Sequence, residues 1–182
     1  PGDINGSNNP GGARFFDPQQ RDLAYIRYQA LGLFPAVDAV TLTASYHRQK
    51  EAQTRGIPAI SRIQERDVET VGLNLIMAKD LGGWGRLSGG ADWYHDDVDS
   101  FTNPITVDPI DPDDAYYERF GAFLNWDVAL ASRLNGVVGV RYELADVAGT
   151  PVIDVAGVPT PTPLMTHYQD WVAHAGLVYE VT

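Results

Sequence analysis

The chain contains no cysteine, which removes disulfides, thiolate metal ligands and cysteine nucleophiles together. No run approaches the ~18 consecutive apolar residues of a membrane-spanning helix, although 44% of the residues are hydrophobic. Positive charge is scarce: 13 Lys and Arg against 24 Asp and Glu leave a net charge of −11. Nucleic acid is thereby excluded as a partner, because neutralising phosphates needs clustered cations. The histidines, His47, His95, His167 and His174, include no pair at the spacing of a metal motif such as H-E-x-x-H. No G-x-S-x-G elbow presents a nucleophile, and Gly82-Gly-Trp-Gly85 lacks the lysine and the spacing of a phosphate loop. The chain is therefore read as no enzyme, with no catalytic residue, no metal and no cofactor expected.

What is present is alternation. Seven runs of roughly ten residues alternate apolar and polar side chains, at about 22–34, 38–48, 67–79, 84–96, 115–129, 133–145 and 169–182. Period two with one apolar face marks a half-exposed strand, and the helical series i, i+3, i+4, i+7 is interrupted throughout. Val40, Leu42, Ala44 and Tyr46 oppose Thr41, Thr43, Ser45 and His47; Phe120, Ala122, Leu124 and Trp126 oppose Arg119, Gly121, Asn125 and Asp127. The connections alternate as well. Those around Pro35, Gly82-Gly83 and Ser132 are short, whereas those over 47–66, 95–115 and 144–168 are long. Short turns at one end and long loops at the other are how a transmembrane β-barrel is built. A mean hydropathy of −0.21 is no obstacle, since only every second residue of such a strand meets lipid.

The large aromatics fit the same plan. With the short turns on the periplasmic side, Phe34, Trp84, Trp126 and Tyr179 fall near one border of the apolar face. Tyr46, Trp93, Tyr116, Tyr142 and Trp171 fall near the other, as two interfacial girdles would require. Arg27, Arg119, Arg141, Asp92, Asp127 and Glu143 alternate onto the opposite, lumen-directed face. Glu69 and Glu118 fall on the outward face and are expected at headgroup depth near the outer strand ends. The acidic stretch Asp108-Pro-Ile-Asp-Pro-Asp-Asp114 lacks the glycine and terminal glutamate of a calcium loop and reads as solvated loop. Residues 1–20 read as loop, and Pro1–Gly12 is Gly/Asn-rich without an apolar leader. Because bacterial single-chain barrels have an even number of strands, seven runs are expected to be a sector of a longer chain's barrel. With two unpaired edges, that sector is not expected to fold alone.

Three segments carry a family resemblance: Arg14-Phe-Phe-Asp-Pro-Gln-Gln-Arg-Asp-Leu-Ala-Tyr-Ile-Arg-Tyr28, Gly90-Ala-Asp-Trp-Tyr-His-Asp-Asp-Val98 and Ala175-Gly-Leu-Val-Tyr-Glu-Val-Thr182. They resemble barrel segments of TonB-dependent outer-membrane receptors. The resemblance implies an all-β fold: an antiparallel transmembrane β-barrel segment, about seven strands of a larger, plugged barrel of roughly 22 strands. It further implies import of a scarce ligand such as a ferric siderophore or haem across the outer membrane of a Gram-negative bacterium. Membrane lipids and the TonB energy-transducing complex would be the partners. The plug and the TonB-contacting box belong to a region preceding the barrel and are not in this sequence. Candidate ligand contacts where strands meet the long extracellular loops are His47, Arg48, Arg55, His95, Asp96, Asp97 and His167. Two other readings stay open: a passive porin or structural barrel, and a soluble carbohydrate-binding β-sandwich.

Overall fold

A computed structural model describes residues 14–57, 60–103 and 113–181. Seven long strands form one antiparallel sheet: β1 (Arg14–Phe34), β2 (Val37–Ile57), β3 (Ile60–Asp80), β4 (Arg86–Asn103), β5 (Asp113–Ala131), β6 (Leu134–Thr150) and β9 (Leu164–Tyr179). Their spatial order is β1-β2-β3-β4-β5-β6-β9, so every neighbour in the sheet is the next long strand in sequence. A small hairpin, β7 (Val152–Val155) with β8 (Val158–Pro161), stands between β6 and β9. It reverses at Ala156 and Gly157, both with positive φ, as a tight two-residue hairpin turn requires. Among the described residues, the helical content is a single 3₁₀ turn, Gly82–Trp84, between β3 and β4.

The strands outrun the alternation in the sequence. β1, β2 and β3 are each 21 residues long, whereas crossing a bilayer takes ~9–11 residues per tilted strand. The expected loop over 1–20 is corrected from Arg14 onward, since Arg14–Gln20 is already β1 and pairs with Lys50–Arg55 of β2. Asp17 and Pro18 drop out of that ladder, because proline has no N–H to give. The expected loop over 47–66 is likewise a continuous β2–β3 ladder from His47↔Thr70 to Ile57↔Ile60. These extensions escaped the alternation test because both faces of a strand outside the bilayer meet water. The acidic stretch is outside the described residues apart from Asp113 and Asp114, which begin β5.

Register sorts the side chains into two faces. Leu42↔Leu75, Leu75↔Ala91, Ala91↔Ala122, Ala122↔Tyr142 and Tyr142↔Trp171 form one unbroken row across β2 to β9. Adjacent rows on that face hold Leu73, Trp93, Phe120 and Leu144, then Met77, Leu124 and Val140. The apolar band ends in polar residues at its upper border. Arg48 pairs with Glu69 on β2 and β3, and His95, Glu118, Asp146 and His167 align on β4 to β9. The border thus slips one row toward the short turns between β3 and β4, as strands tilted against the bilayer would require.

Nearly every expected girdle residue lies on this outward face, including Tyr46, Trp93, Tyr116, Tyr142, Trp171, Trp126 and Tyr179. Trp84 sits in the turn instead, its carbonyl accepting the Trp126 Nε1–H at 2.8 Å. Phe34 departs from the expectation. A bulge between Leu31 and Phe34, where Gly32 has a φ of 62°, pairs Phe34 with Val37 and turns it to the other face.

A single sheet has no second layer to pack on. Leu124 stays 49% exposed and Trp171 66%, which suits side chains whose solvent is lipid rather than protein. β1 and β9 each leave one edge unpaired within the described sheet.

Candidate functional site

The lumen-directed face carries the other half of each alternation. Its central row runs Arg27, Thr43, Asn74, Asp92, Gly121, Glu143 and Asp170 across the sheet. Asp92 on β4, Arg119 on β5, and Arg141 with Glu143 on β6 gather here into a closed ring of alternating charge. Arg141 reaches across all of β5 to grip Asp92, Nη1 to Oδ2 and Nη2 to Oδ1, both at 3.0 Å. It does so over Gly121, where a Cβ would strike the Arg141 guanidinium. Arg141 also donates to Glu143 at 3.3 Å through Nε and Nη2. Asp92, 7% exposed, is the one buried charged side chain among the described residues, and a buried carboxylate needs such a bidentate partner.

Arg119 is held differently. Its terminal nitrogens lie 3.9 Å from Asp92 and 3.7 Å from Glu143, within ion-pair range but beyond hydrogen-bond length. Its Nε is enclosed without a partner among the described residues. The guanidinium lies over the Tyr94 ring, 5.0 Å from its centroid, an arrangement that stabilises the cation through the ring's face. Tyr94 in turn leans over Gly72, where a Cβ would meet the ring and Ser45 Oγ. Tyr25, Tyr94, Arg119 and Tyr168 share one lumen row, and His47, Asp96 and Tyr117 share the next row outward.

The outward face above the apolar band is also charged. Arg48 grips Asp67 as a fork, Nε to Oδ1 at 2.9 Å and Nη2 to Oδ2 at 2.6 Å, while Lys50 reaches Asp67 at 3.0 Å and Arg48 reaches Glu69 at 3.1 Å. The Arg48 hydrogen bond, seconded by Lys50, holds the Asp67 carboxyl well below its ordinary value, at about 2. On β4 and β5, His95 stacks between Trp93 and Tyr116 at centroid distances of 6.1 and 5.9 Å. Its Nε2 lies 3.2 Å from Asp97, and Trp93 Nε1 donates to Glu118 at 2.8 Å. Farther along the same row, His167 Nδ1 lies 2.6 Å from Asp146.

The seven expected ligand contacts all lie within strands, in β2, β4 and β9; His47, Arg48, His95 and Asp96 fall in expected runs, whereas Arg55, Asp97 and His167 are corrected from loop to strand. Their parity then divides them. His47 and Asp96 face the lumen, two strands apart with Thr70 between them. Arg48, His95, Asp97 and His167 share the outward face with the lipid band. The backbone of Arg55 pairs with Arg62 near the tip of β2. The signal for this division was in the sequence, since His95 follows Trp93 by two residues and must share its face. His174 faces the lumen, opposite Gly139. Among the described residues no three His, Asp or Glu side chains come together in a way that would hold a metal ion. Sequence reasoning had put Asp92, Arg119, Arg141 and Glu143 on the inner wall but had not joined them, because the link depends on register across three strands.

Comparison with known proteins gives two findings. A family profile described as "TonB dependent receptor-like, beta-barrel" matches residues 1–182. The solved structure "Copper transporter OprC" superposes with a TM-score of 0.77 at 12% sequence identity, covering 94% of this chain and 29% of that one. At that identity the likeness concerns the fold, and the chain spans under a third of that structure's length. No curated protein matches the chain.

Proposed function

The chain belongs to the TonB-dependent receptor-like β-barrel family, and from that premise we propose that it forms a sector of the wall of an outer-membrane receptor. The receptor imports a scarce ligand with energy delivered through TonB. The observation that carries this reading is the division of one sheet into a lipid face bounded by aromatics and a charged lumen face. That division suits a wall standing between lipid on one side and a ligand path on the other. It gives a soluble carbohydrate-binding sandwich no second sheet to pack against. The part assigned to the chain is transport, not catalysis.

A ferric siderophore or haem is the ligand class we favour on family grounds; the copper carried by the structural relative is the specific competitor. The surroundings are the outer membrane of a Gram-negative bacterium, and the whole barrel is taken to have roughly the 22 strands of plugged outer-membrane transporters. The test is accumulation of radiolabelled ferric siderophore, haem and copper by cells expressing the complete parent receptor, with and without TonB. Uptake of one ligand that vanishes without TonB is expected. Equal uptake with and without TonB would instead support a passive porin.

A further inference from the structure

We propose that Arg119, laid on the Tyr94 ring, is a ligand-contacting residue that selects ligands bearing a carboxylate. This deepens the receptor reading and rests on it. Three observations converge on Arg119. First, the hydrogen bonds of the ring go to Arg141: Asp92 and Glu143 each receive two from it. Arg119 makes none to a described residue and stands 3.7–3.9 Å off the same carboxylates. An arginine has five donors, so this head keeps N–H groups with which to meet a further acceptor. Second, the head is oriented in advance, since stacking on Tyr94 at 5.0 Å fixes its plane while its side chain keeps 37% exposure. A planar fork held in that way matches a carboxylate with two parallel hydrogen bonds.

Third, Arg119 stands at the height where a ligand arrives. Its chain neighbour Glu118 takes part in the outward row that ends the lipid band, so Arg119 lies on the lumen face level with that border, below the outer extensions of β2 to β4. Tyr117, two residues along β5, and Tyr168, two strands away in the same row, share its lumen face, offering ring faces and hydroxyls to the body of such a ligand. Arg141 lies two rows deeper, opposite Phe123, and its grip on Asp92 leaves it committed to the wall. Asp96, in the next row outward opposite Tyr117, forms no ion pair among the described residues; it opposes an anionic ligand at long range.

The test is equilibrium binding of citrate, as the probe carboxylate, to the complete parent receptor purified in detergent at low ionic strength, followed by titration calorimetry. Expected are saturable binding by the unaltered protein and a loss of about tenfold or more in Arg119→Gln, the scale of a charge-assisted hydrogen bond. Arg119→Lys, which keeps the charge but not the fork, should fall between the two. Asp96→Asn should bind more tightly, and Arg86→Gln, at the short-turn end of the same face, should bind as the unaltered protein does. Absence of citrate binding in the unaltered receptor, or equal binding by Arg119→Gln, would overturn the proposal. The heat-dependent gel mobility of a closed barrel verifies folding of each variant. Were Arg119→Gln not to fold, the opposite shifts expected of Arg119→Lys and Asp96→Asn decide. Binding needs no energy source, so this result stands apart from the TonB-dependence of uptake that tests the receptor reading itself.

Discussion

The two faces of this sheet are made by the same strands, offset by one residue, and they solve opposite problems. Outward, Leu75, Ala91, Ala122 and Tyr142 make a row without a single charge, because an unpaired charge among lipid tails has nothing to answer it. Inward, one step along each strand, Asp92, Arg119, Arg141 and Glu143 concentrate four charges in one patch that neutralises itself. Glycine is used on the inward side as space: Gly72 and Gly121 let Tyr94 and Arg141 lie flat across their neighbours. The faces differ less in composition than in who supplies the solvent, lipid on one side and the wall's own counter-charges on the other.

The offset gives the sharpest way to break the comparison. Leu124→Arg puts a cation at mid-depth on the outward face and should destabilise the assembled barrel by ~2–4 kcal/mol. Asn125→Arg, one residue on, should cost under about 1 kcal/mol because its site faces the wet wall. Urea unfolding of the complete barrel in lipid vesicles measures both; equal costs would mean that the faces are not what their register implies. Next in size, Asp92→Asn keeps one acceptor oxygen but replaces the other with an NH2 facing Arg141 and removes the charge, so the fork is broken, at about 2 kcal/mol in the same assay.

How far each face was legible in the sequence follows from this physics. Alternation marked the membrane half of every strand, and placed Glu118 outward and Arg119 inward, because lipid and lumen demand opposite side chains. It was silent about Arg14–Gln20 and the upper halves of β2 and β3, where water lies on both sides and no alternation is imposed. Residues near loops drew attention as ligand contacts, yet the two-residue step from Trp93 already assigned His95 to the lipid side. The Asp92–Arg141 grip was not legible, since it joins side chains 49 positions apart in the sequence over a glycine whose meaning appears only with the register. Phe34 was misplaced by a bulge at Gly32 that alternation does not signal.

The comparison extends above the bilayer, where smaller effects are expected. Asp67 is held at about 2 by Arg48 and Lys50, below the ordinary aspartate range near 3.9. Its carboxylate therefore stabilises the β2–β3 extension above about pH 4, and that contribution is lost as pH falls toward about 2. With solvent screening at this half-open site the contribution is about 1 kcal/mol. Hydrogen exchange of β2–β3 amides should show Asp67→Asn weaker by that amount at pH 6 and equal to the unaltered protein near pH 2. The smallest effect is expected at the girdle. Trp93→Phe keeps the ring on the outward face and removes only the 2.8 Å hydrogen bond to Glu118, at about 0.5–1 kcal/mol in vesicle unfolding.

The central claim is the phase of the wall, and because this chain has no native cysteine, single cysteines can report it residue by residue. Nitroxide labels placed at each position from Phe120 to Asp127 of the complete barrel in vesicles would be compared for relaxation by oxygen, which dissolves in lipid, and by a water-soluble nickel chelate. Oxygen accessibility is expected to peak at Phe120, Ala122, Leu124 and Trp126 and to fall at Gly121, Phe123, Asn125 and Asp127. Uniform accessibility along β5, or the same alternation in the opposite phase, would contradict a lipid-facing wall built in this register.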